Sequence, residues 1–169
     1  MSNTIKPYTT VTDFITGNDV PNIGAEENRQ AVERFLVERK GYLKEDIEID
    51  VDIEMTVAGE SYRSQLDLVV TTDGGKTRFM AIRCADGSLG SREREIIAAA
   101  RILDDCLIPL AVVSDGKTAI VLDTASGKKI GAGLDAIPSK GEAIKMLESL
   151  ELQPFPALRR EKEKLIFRT

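Results

Sequence analysis

The fold of this chain is decided by residues 63–85, which read RSQLDLVVTTDGGKTRFMAIRCA. Two apolar, β-type runs flank an Asp-Gly-Gly turn, in which Gly supplies positive φ angles at little cost. The stretch therefore predicts a β-hairpin with strands over 62–70 and 78–84. One carboxylate, Asp67, lies inside the otherwise apolar first strand, where an unpaired charge is costly. This residue marks the candidate site.

A further strand precedes the hairpin, over residues 47–57. Its apolar side chains alternate with acidic and polar ones in the run IEIDVDIEMTV. A period of two with one apolar face predicts a half-buried antiparallel strand. Because residues two apart on a strand do not converge, we interpret the acids as a solvated face rather than a metal site. These acids are Glu48, Asp50, Asp52 and Glu54.

Two helical patterns lie on either side of these three strands. Apolar residues at helical spacing, followed by Gly41, predict a helix over 25–40. A pattern rich in alanine, with Ser91 as the N-cap, predicts a second helix over 91–106. Small residues allow a helix to approach a sheet closely, so we expect the second helix to pack tightly.

Two more apolar runs predict strands over 109–113 and 118–122, joined by a hairpin turn. A strand–helix–strand unit of this length forms a right-handed crossover, so the 109–113 strand should be parallel to the 78–84 strand. The predicted fold class is α/β, with the element order α-β-β-β-α-β and a central mixed sheet flanked by helices.

The ends of the chain differ from this core. Residues 1–23 are polar and predict an N-terminal arm, with one helical turn at Val11–Ile15. The core domain is expected over 24–135, and residues 136–169 predict a C-terminal helical appendage with a capping box that begins at Ser139. The last segment holds the basic patch of the chain: Arg159, Arg160, Lys162, Lys164 and Arg168.

Composition excludes several classes of function. The 169 residues include no histidine, which excludes Ser-His-Asp triads and most zinc enzymes. The net charge of −5 argues against a free-standing nucleic-acid binder that depends on charge alone. Cys84 and Cys106 lack metal-ligand spacing, and we interpret both as buried small residues in a reducing compartment. With no membrane-spanning run and no leader, we expect a cytoplasmic protein.

In this order of elements, the chain resembles the N-terminal domain of the R subunit of type I restriction enzymes, within the PD-(D/E)xK nuclease superfamily. The resemblance implies a restriction-endonuclease-like core and extends over about residues 24–131. The residues that carry it are Glu26–Gln30, Gly41-Tyr42, Asp67, Met80–Ala85 and Ser114–Lys117. The charged segment from Arg160 to Phe167 is also similar to the ending of that family.

The resemblance implies roles for a few residues. A glutamate of the first helix, matched by Glu27 or Glu26, orients or hydrates a metal site, and Asp67 matches a metal-ligating Asp. Ala81 stands at the position of the second carboxylate, a Glu, and Arg83 stands at the position of the catalytic Lys. The implied site is therefore degenerate.

These two differences matter chemically. Phosphodiester hydrolysis in such a site needs Mg²⁺, which prefers carboxylate oxygens in near-octahedral geometry. Ala81 offers a methyl group instead, and Arg83 keeps the positive charge but is effectively never deprotonated, so it cannot act as a base. We expect either no cofactor or a weakly held Mg²⁺ at Asp67.

Two interpretations of Asp67 and Arg83 remain open. They could face each other as a cross-strand ion pair that satisfies a half-buried carboxylate, which we favour. They could also belong to a rearranged metal site. The carboxylates available for such a rearrangement are Asp86, Glu93 and Glu95.

Three functions follow. The first is a stand-alone nuclease-fold module without cleavage that binds DNA or a protein, with Arg159, Arg160, Lys162 and Lys164 contacting phosphates. The second is an active Mg²⁺-dependent endonuclease with a rearranged site, and the third is a protein scaffold that binds no nucleic acid. A homodimer also remains open. The translocase motif GxxxxGK[ST] is missing, so a whole restriction subunit is not expected.

Overall fold

The computed structural model describes residues 9–168, with side chains through Phe167. Its strands are β1 (Thr10–Thr12), β2 (Asp19–Pro21), β3 (Ile47–Val57), β4 (Glu60–Thr71), β5 (Arg78–Cys84), β6 (Leu110–Ser114), β7 (Ala119–Asp123) and β8 (Lys129–Ala132). Its helices are α1 (Glu26–Lys40), α2 (Glu93–Ile102), α3 (Lys140–Glu148) and α4 (Ala157–Arg168).

Six strands form one sheet in the order β3-β4-β5-β6-β7-β8, and β1 pairs with β2 in a separate hairpin. Only β5 and β6 are parallel among the neighbours in the large sheet. The predicted α/β fold with a central mixed sheet is confirmed, and so is the parallel crossover through α2. The boundaries predicted for the domains, at residues 23 and 135, stay predictions.

One part of the core lies between α1 and the sheet. Val32 and Leu36 of α1 are fully buried there. They belong to one apolar cluster with strand residues that include Leu68, Met80, Ile82 and Val112. Gly41 ends α1 with a φ of 79°, and its N–H donates to the carbonyl oxygen of Leu36. The predicted C-terminus of this helix is confirmed.

The other part of the core lies between α2 and the sheet. Residues 98–100, all alanine, are fully buried, as are Ala81 of β5 and Ala111 of β6. Small side chains on both sides allow the close packing that the sequence predicts. The predicted bounds of the helix are wrong at the C-terminus, because α2 ends at Ile102 rather than at residue 106.

The N-cap predicted for α2 is also wrong. A 3₁₀ turn over Gly90–Arg92 precedes the helix, and Arg92 stands at the N-cap position without a side-chain bond. The hydroxyl group of Ser91 donates instead to the carbonyl oxygen of Ser88. The cap of α3 is as predicted, because the Ser139 hydroxyl accepts the N–H of Glu142 at 3.2 Å.

β3 contributes to both parts of the core. Its alternation of buried and exposed residues is confirmed. Ile47 and Ile49 belong to the cluster beneath α1, whereas Ile53 and Met55 belong to the cluster beneath α2. The strand changes from one cluster to the other around Asp50, which has a positive φ of 49°. A single apolar stripe in the sequence therefore serves two sides of the sheet.

Three of the four acids of β3 are exposed, as the interpretation of a solvated face predicts, and the acids also form ion pairs. Glu48 pairs with Arg78 at 2.9 Å, and Asp52 pairs with Arg63 at 2.7 Å. Asp50 pairs with Arg29 of α1 at 2.8 Å.

α4 is bound to α2 by buried charges. Glu163 is almost fully buried and contacts the guanidinium groups of Arg94 at 2.8 Å and Arg101 at 2.7 Å. Arg160 donates to the carbonyl oxygens at the end of α2, those of Arg101, Ile102 and Asp104. These carbonyl groups have no partner within a helix that ends here. The basic C-terminal segment thus contributes to the packing of the domain.

Three further expectations are corrected. Thr10–Thr12 is a strand, so the helical turn predicted at Val11–Ile15 is wrong. β8 was not predicted. Cys84 is buried as expected, but Cys106 is partly exposed and lies outside α2.

Within residues 9–168, no helix has the length and apolar character needed to cross a membrane.

Candidate functional site

The candidate site lies where β4 and β5 separate. The two strands pair from Thr71 and Arg78 to Leu68 and Ile82, and the pairing stops before Asp67. There the carboxylate of Asp67 accepts the N–H of Cys84 at 2.8 Å. If the strands stayed paired, a backbone carbonyl oxygen of β4 would accept this N–H. Asp67 takes the place of that carbonyl group, which matters because an unpaired buried N–H is costly.

Arg83 lies between two carboxylates. Its Nη1 is 3.6 Å from Oδ2 of Asp67, and its Nη2 contacts Oε1 of Glu95 in the first turn of α2. The cross-strand pair favoured from the sequence is thus present in the structure. Arg92 approaches the other oxygen of Glu95 at 3.5 Å. Nε of Arg83 has no hydrogen-bond partner among the described residues.

Ala81 is close in sequence to Arg83 but lies in a different environment. It is fully buried in the apolar cluster beneath α2, together with Ala98 and Ala99. Arg83 is two residues further along β5 and is partly exposed. The position expected for a second metal ligand therefore holds a methyl group packed against a helix.

A second guanidinium, that of Arg29 in α1, forms ion pairs with acids from three parts of the chain. It contacts Glu26 at 2.7 Å, Asp50 at 2.8 Å and Asp13 at 3.5 Å. In the register of β3 and β4, Asp50 and Asp67 both fall between the pairs Ile49–Leu68 and Val51–Leu66. This arrangement joins the first turn of α1 to the site.

The two glutamates proposed from the sequence are separated by the structure. Glu26 bonds Arg29 and Gln30 within α1. Glu27 instead accepts the side-chain N–H of Asn22 at 2.9 Å, in an exposed position. Of the two, Glu26 is linked to the site through Arg29.

Burial and charge act in opposite directions on Asp67. Burial raises the pKa of its carboxyl group, and the charge of Asp50 raises it further. The guanidinium of Arg83 and the N–H of Cys84 lower it, but the net shift is upward. Burial also lowers the pKa of Arg29, yet its hydrogen bond with Glu26 and the charges of Asp50 and Glu26 more than offset this effect.

The residues present do not fit a Mg²⁺ site of the implied kind. Within residues 9–168, no group of three or more His, Cys, Asp or Glu side chains is placed to hold a metal ion. The carboxylates of Asp67 and Glu95 already contact Arg83, and those of Glu26 and Asp50 contact Arg29. A divalent cation would have to displace a guanidinium from either pair.

The residues proposed to contact nucleic acid lie on α4 in different settings. Arg159 stacks on the ring of Phe155 at 4.6 Å and is exposed. Arg160 is engaged with the end of α2, and Lys164 pairs with Glu161 at 2.9 Å. Lys162 is exposed. The phosphate contacts themselves stay a prediction.

Sequence reasoning did not assign Arg29 or Asp50 to the site. The spacing of Glu26 and Arg29, three residues apart on a helix, indicates a local pair. Nothing in the sequence indicates the pairing of Arg29 with Asp50, which are 21 residues apart. Glu95 was recognised only as an available carboxylate.

Residues 24–138, about two thirds of the chain, match the family described as type I restriction enzyme R protein N terminus (HSDR_N). No curated protein and no solved structure matches significantly. The match extends from just before α1 through β8 and includes Asp67, Ala81 and Arg83. The chain therefore belongs to the family of type I restriction enzyme R protein N-terminal domains.

Proposed function

We propose that this chain is a member of the PD-(D/E)xK superfamily that does not cleave nucleic acid and acts as a binding or regulatory module. The observation that carries the proposal is the position of Arg83, whose guanidinium lies between Asp67 and Glu95. A cation supplied by the protein thus occupies the space between carboxylates that a metal ion would need.

The chemistry supports the same conclusion. A metal-dependent nuclease of this type needs at least two fixed carboxylates around Mg²⁺ and a basic group that positions or deprotonates water. Ala81 removes one ligand, and a guanidinium group is not suited to act as a base toward water. Asp67 still has a structural task, because it accepts the N–H of Cys84.

Cleavage of supercoiled plasmid with Mg²⁺ or Mn²⁺ tests the proposal directly. We expect no nicking by the unmodified protein at any concentration at which a metal-dependent nuclease control is active. Metal-dependent nicking that Asp67→Ala abolishes would contradict the proposal and would establish a working rearranged site.

A pair of double variants tests the role of the missing ligand. Ala81→Glu with Arg83→Lys restores the groups of an active site, and Ala81→Gln with Arg83→Lys is its uncharged match. Both should be less stable than the unmodified protein, because Ala81 is fully buried. Only the Glu variant should gain thermal stability on addition of Mn²⁺, since binding to the folded state stabilises it. Equal responses of the two variants would show that position 81 does not face the metal.

One observation favours the active alternative. The charge of Asp50 acts on Asp67, and Glu95 reaches the same guanidinium as Asp67, so three carboxylates lie beside Arg83 and Arg29. If a metal displaced one guanidinium, Asp50→Asn and Glu95→Gln would each reduce Mn²⁺-dependent nicking. Exposed Glu38→Gln is the matched control.

For the partner, we favour a protein over DNA. Two of the four predicted phosphate contacts already have partners, since Arg160 bonds the end of α2 and Lys164 pairs with Glu161. Proteins that bind DNA tightly through charge use about 6–10 phosphate contacts. We therefore expect weak, salt-sensitive binding to duplex DNA by fluorescence anisotropy, reduced by Arg159→Ala with Lys162→Ala. Tight binding at physiological salt would reverse this preference.

A further inference from the structure

A buried acidic pair lies beneath the hairpin formed by β1 and β2, which we name the arm hairpin (Thr10–Pro21). Asp13 in its loop is 1% exposed, and Glu33 of α1 is 0% exposed. The charge of Asp13 is among the causes that raise the pKa of Glu33, which places the two carboxyl groups close together. Two buried carboxyl groups cannot both be ionised without a large energetic cost.

The hydrogen-bond donors decide which of the two carries the negative charge. Asp13 accepts the backbone N–H groups of Ile15 at 2.8 Å and Thr16 at 2.9 Å, and the side-chain N–H of Gln30 at 3.1 Å. Within residues 9–168, no N–H or hydroxyl group donates to either carboxyl oxygen of Glu33, and its side chain interacts instead with the carboxyl group of Asp13. The bonds to Thr16, Gln30 and Ile15 hold the pKa of Asp13 below its ordinary value despite its burial. The geometry therefore assigns the proton to Glu33.

Gln30 of α1 holds the arm hairpin on the domain. Its side-chain N–H donates to Asp13 at 3.1 Å, and its Oε1 accepts the N–H of Phe14 at 2.7 Å. Gln30 also donates to Glu26, which bonds Arg29. The docked arm is thus connected through α1 to the group of charges beside the candidate site.

We propose that Glu33 is a proton-dependent latch: the arm hairpin is held on α1 while the Glu33 carboxyl group is neutral and is released more readily once that group ionises. Ionised Glu33 would face Asp13 without a donor of its own. Release of the arm would expose the Gln30 and Glu26 side of α1 and would change the charges that surround Asp50 and Asp67. The latch does not depend on whether the site cleaves nucleic acid.

The pH range follows from the groups that act on Glu33. Burial and the charge of Asp13 raise the pKa of Glu33 to about 8, Arg29 opposes this shift, and Glu26 adds to it. The thiol of Cys84, in the sheet, is close enough to interact with the charge of Glu33. Burial keeps the pKa of this thiol well above its ordinary value, so the thiol stays neutral. With the arm released, we expect the pKa of Glu33 to fall toward its ordinary value of 4.5.

The direction of the pH dependence is set by whether Glu33 binds its proton more tightly with the arm docked or with the arm released. Between pH of about 4.5 and about 8, docked Glu33 holds a proton that released Glu33 loses. The ratio of docked to released arm should therefore fall about tenfold per pH unit across this range and level off above it. The chain has no histidine, the residue whose ordinary pKa lies in this range.

Hydrogen exchange of the full chain tests the latch. The probe is the amide of Phe14, which donates to Gln30 of α1, with a core amide of β6, that of Val112, as the reference. After correction for intrinsic exchange, protection of the Phe14 amide should fall about tenfold per pH unit between about pH 5 and about pH 8. The amide of Val112 should not follow this dependence.

Three variants identify the group responsible. Glu33→Gln is neutral at every pH and should remove the pH dependence of arm protection. Glu38→Gln, an exposed substitution on the same helix, should retain it. Asp67→Asn should also retain the pH dependence. That result would show that Asp67, the other carboxyl group with a raised pKa, is not its cause. A slope that persists in Glu33→Gln, or equal slopes at the arm and at Val112, would overturn the latch.

A measurement on the unmodified protein covers the case in which Glu33→Gln does not fold. Carbon-13 NMR follows the Glu33 carboxyl group directly as the pH is raised. A midpoint near 8 supports the latch, and a midpoint near the ordinary value of 4.5 overturns it.

Discussion

If the guanidinium of Arg83 replaces a metal ion, its removal should both destabilise the protein and create affinity for a cation. Arg83→Met keeps most of the apolar stem of the side chain and deletes the charge. It leaves Asp67 and Glu95, which Arg83 now joins, without that cation between them. We expect a loss of stability in metal-free buffer that Mg²⁺ or Mn²⁺ partly restores.

The magnitude can be worked from the geometry. At an effective dielectric constant of about 20, Coulomb's law gives roughly 5 kcal/mol for unit charges at the 3.6 Å that separates Arg83 from Asp67. Both side chains are partly exposed, at 17% and 27%, so solvent screening and desolvation reduce the net loss to about 2–3 kcal/mol. A metal present at about a hundred times its Kd would return roughly 2.7 kcal/mol.

The loss should depend on pH with a definite sign. Arg83 lowers the pKa of Asp67, so without it the already raised pKa of this carboxyl group rises further. A carboxyl group with a raised pKa in the folded state reduces stability as the pH increases from its unfolded pKa to its folded pKa. The difference between Arg83→Met and the unmodified protein should therefore be small in acid and larger at neutral pH.

Urea unfolding at acidic and neutral pH, with and without Mn²⁺, measures these effects. Arg92→Met is the matched control, because Arg92 also contacts Glu95 but is 53% exposed and should contribute less than about 1 kcal/mol. The reasoning is refuted if Arg83→Met is as stable as the control. It is also refuted if Mn²⁺ stabilises the unmodified protein as much as Arg83→Met.

Two further substitutions test the packing that supports the site. Glu163→Gln should lower the free energy of unfolding by about 2–4 kcal/mol and make α4 more sensitive to protease, because it leaves the buried charge of Arg101 without its anion. Unchanged stability would show that the contacts of α4 do not stabilise the domain. Gly116→Ala should cost about 3 kcal/mol by thermal unfolding, because its φ is +84° and the added Cβ would lie 2.7 Å from that of Ala31. Gly74→Ala, with a φ of +69° and open space around it, should cost only about 1 kcal/mol.

The parts of the fold that could be predicted are those with local signals. The hairpin over 63–85 combines apolar runs with a glycine turn, and β5 begins and ends at the predicted residues. β8 escaped prediction because its four residues are largely exposed and include Gly131, so no periodic pattern is present. Gly131 is required there by the tertiary structure, since a Cβ would lie 2.8 Å from that of Ala136.

The candidate site could be predicted only in part for the same reason. Asp67 was identified as a carboxylate inside an apolar strand, and Arg83 was identified from the family resemblance. Their pairing follows from the hairpin register, which a local turn sets. Asp50 could not be distinguished from the other acids of β3, because its positive φ and its bond to Arg29 depend on how α1 packs. Charge pairing between distant elements leaves no periodic trace in a sequence.

The carboxylates of the candidate site have protein partners that do not depend on a metal ion. Without such partners, neighbouring acids would repel one another, which destabilises the fold. Here Arg83 joins Asp67 to Glu95, and Arg29 joins Glu26 to Asp50. Asp67 also accepts the N–H of Cys84 where β4 and β5 separate, so its carboxylate is needed by the sheet itself. The structure thus gives Asp67 a reason to persist that is independent of any metal, and its presence alone is no evidence of cleavage.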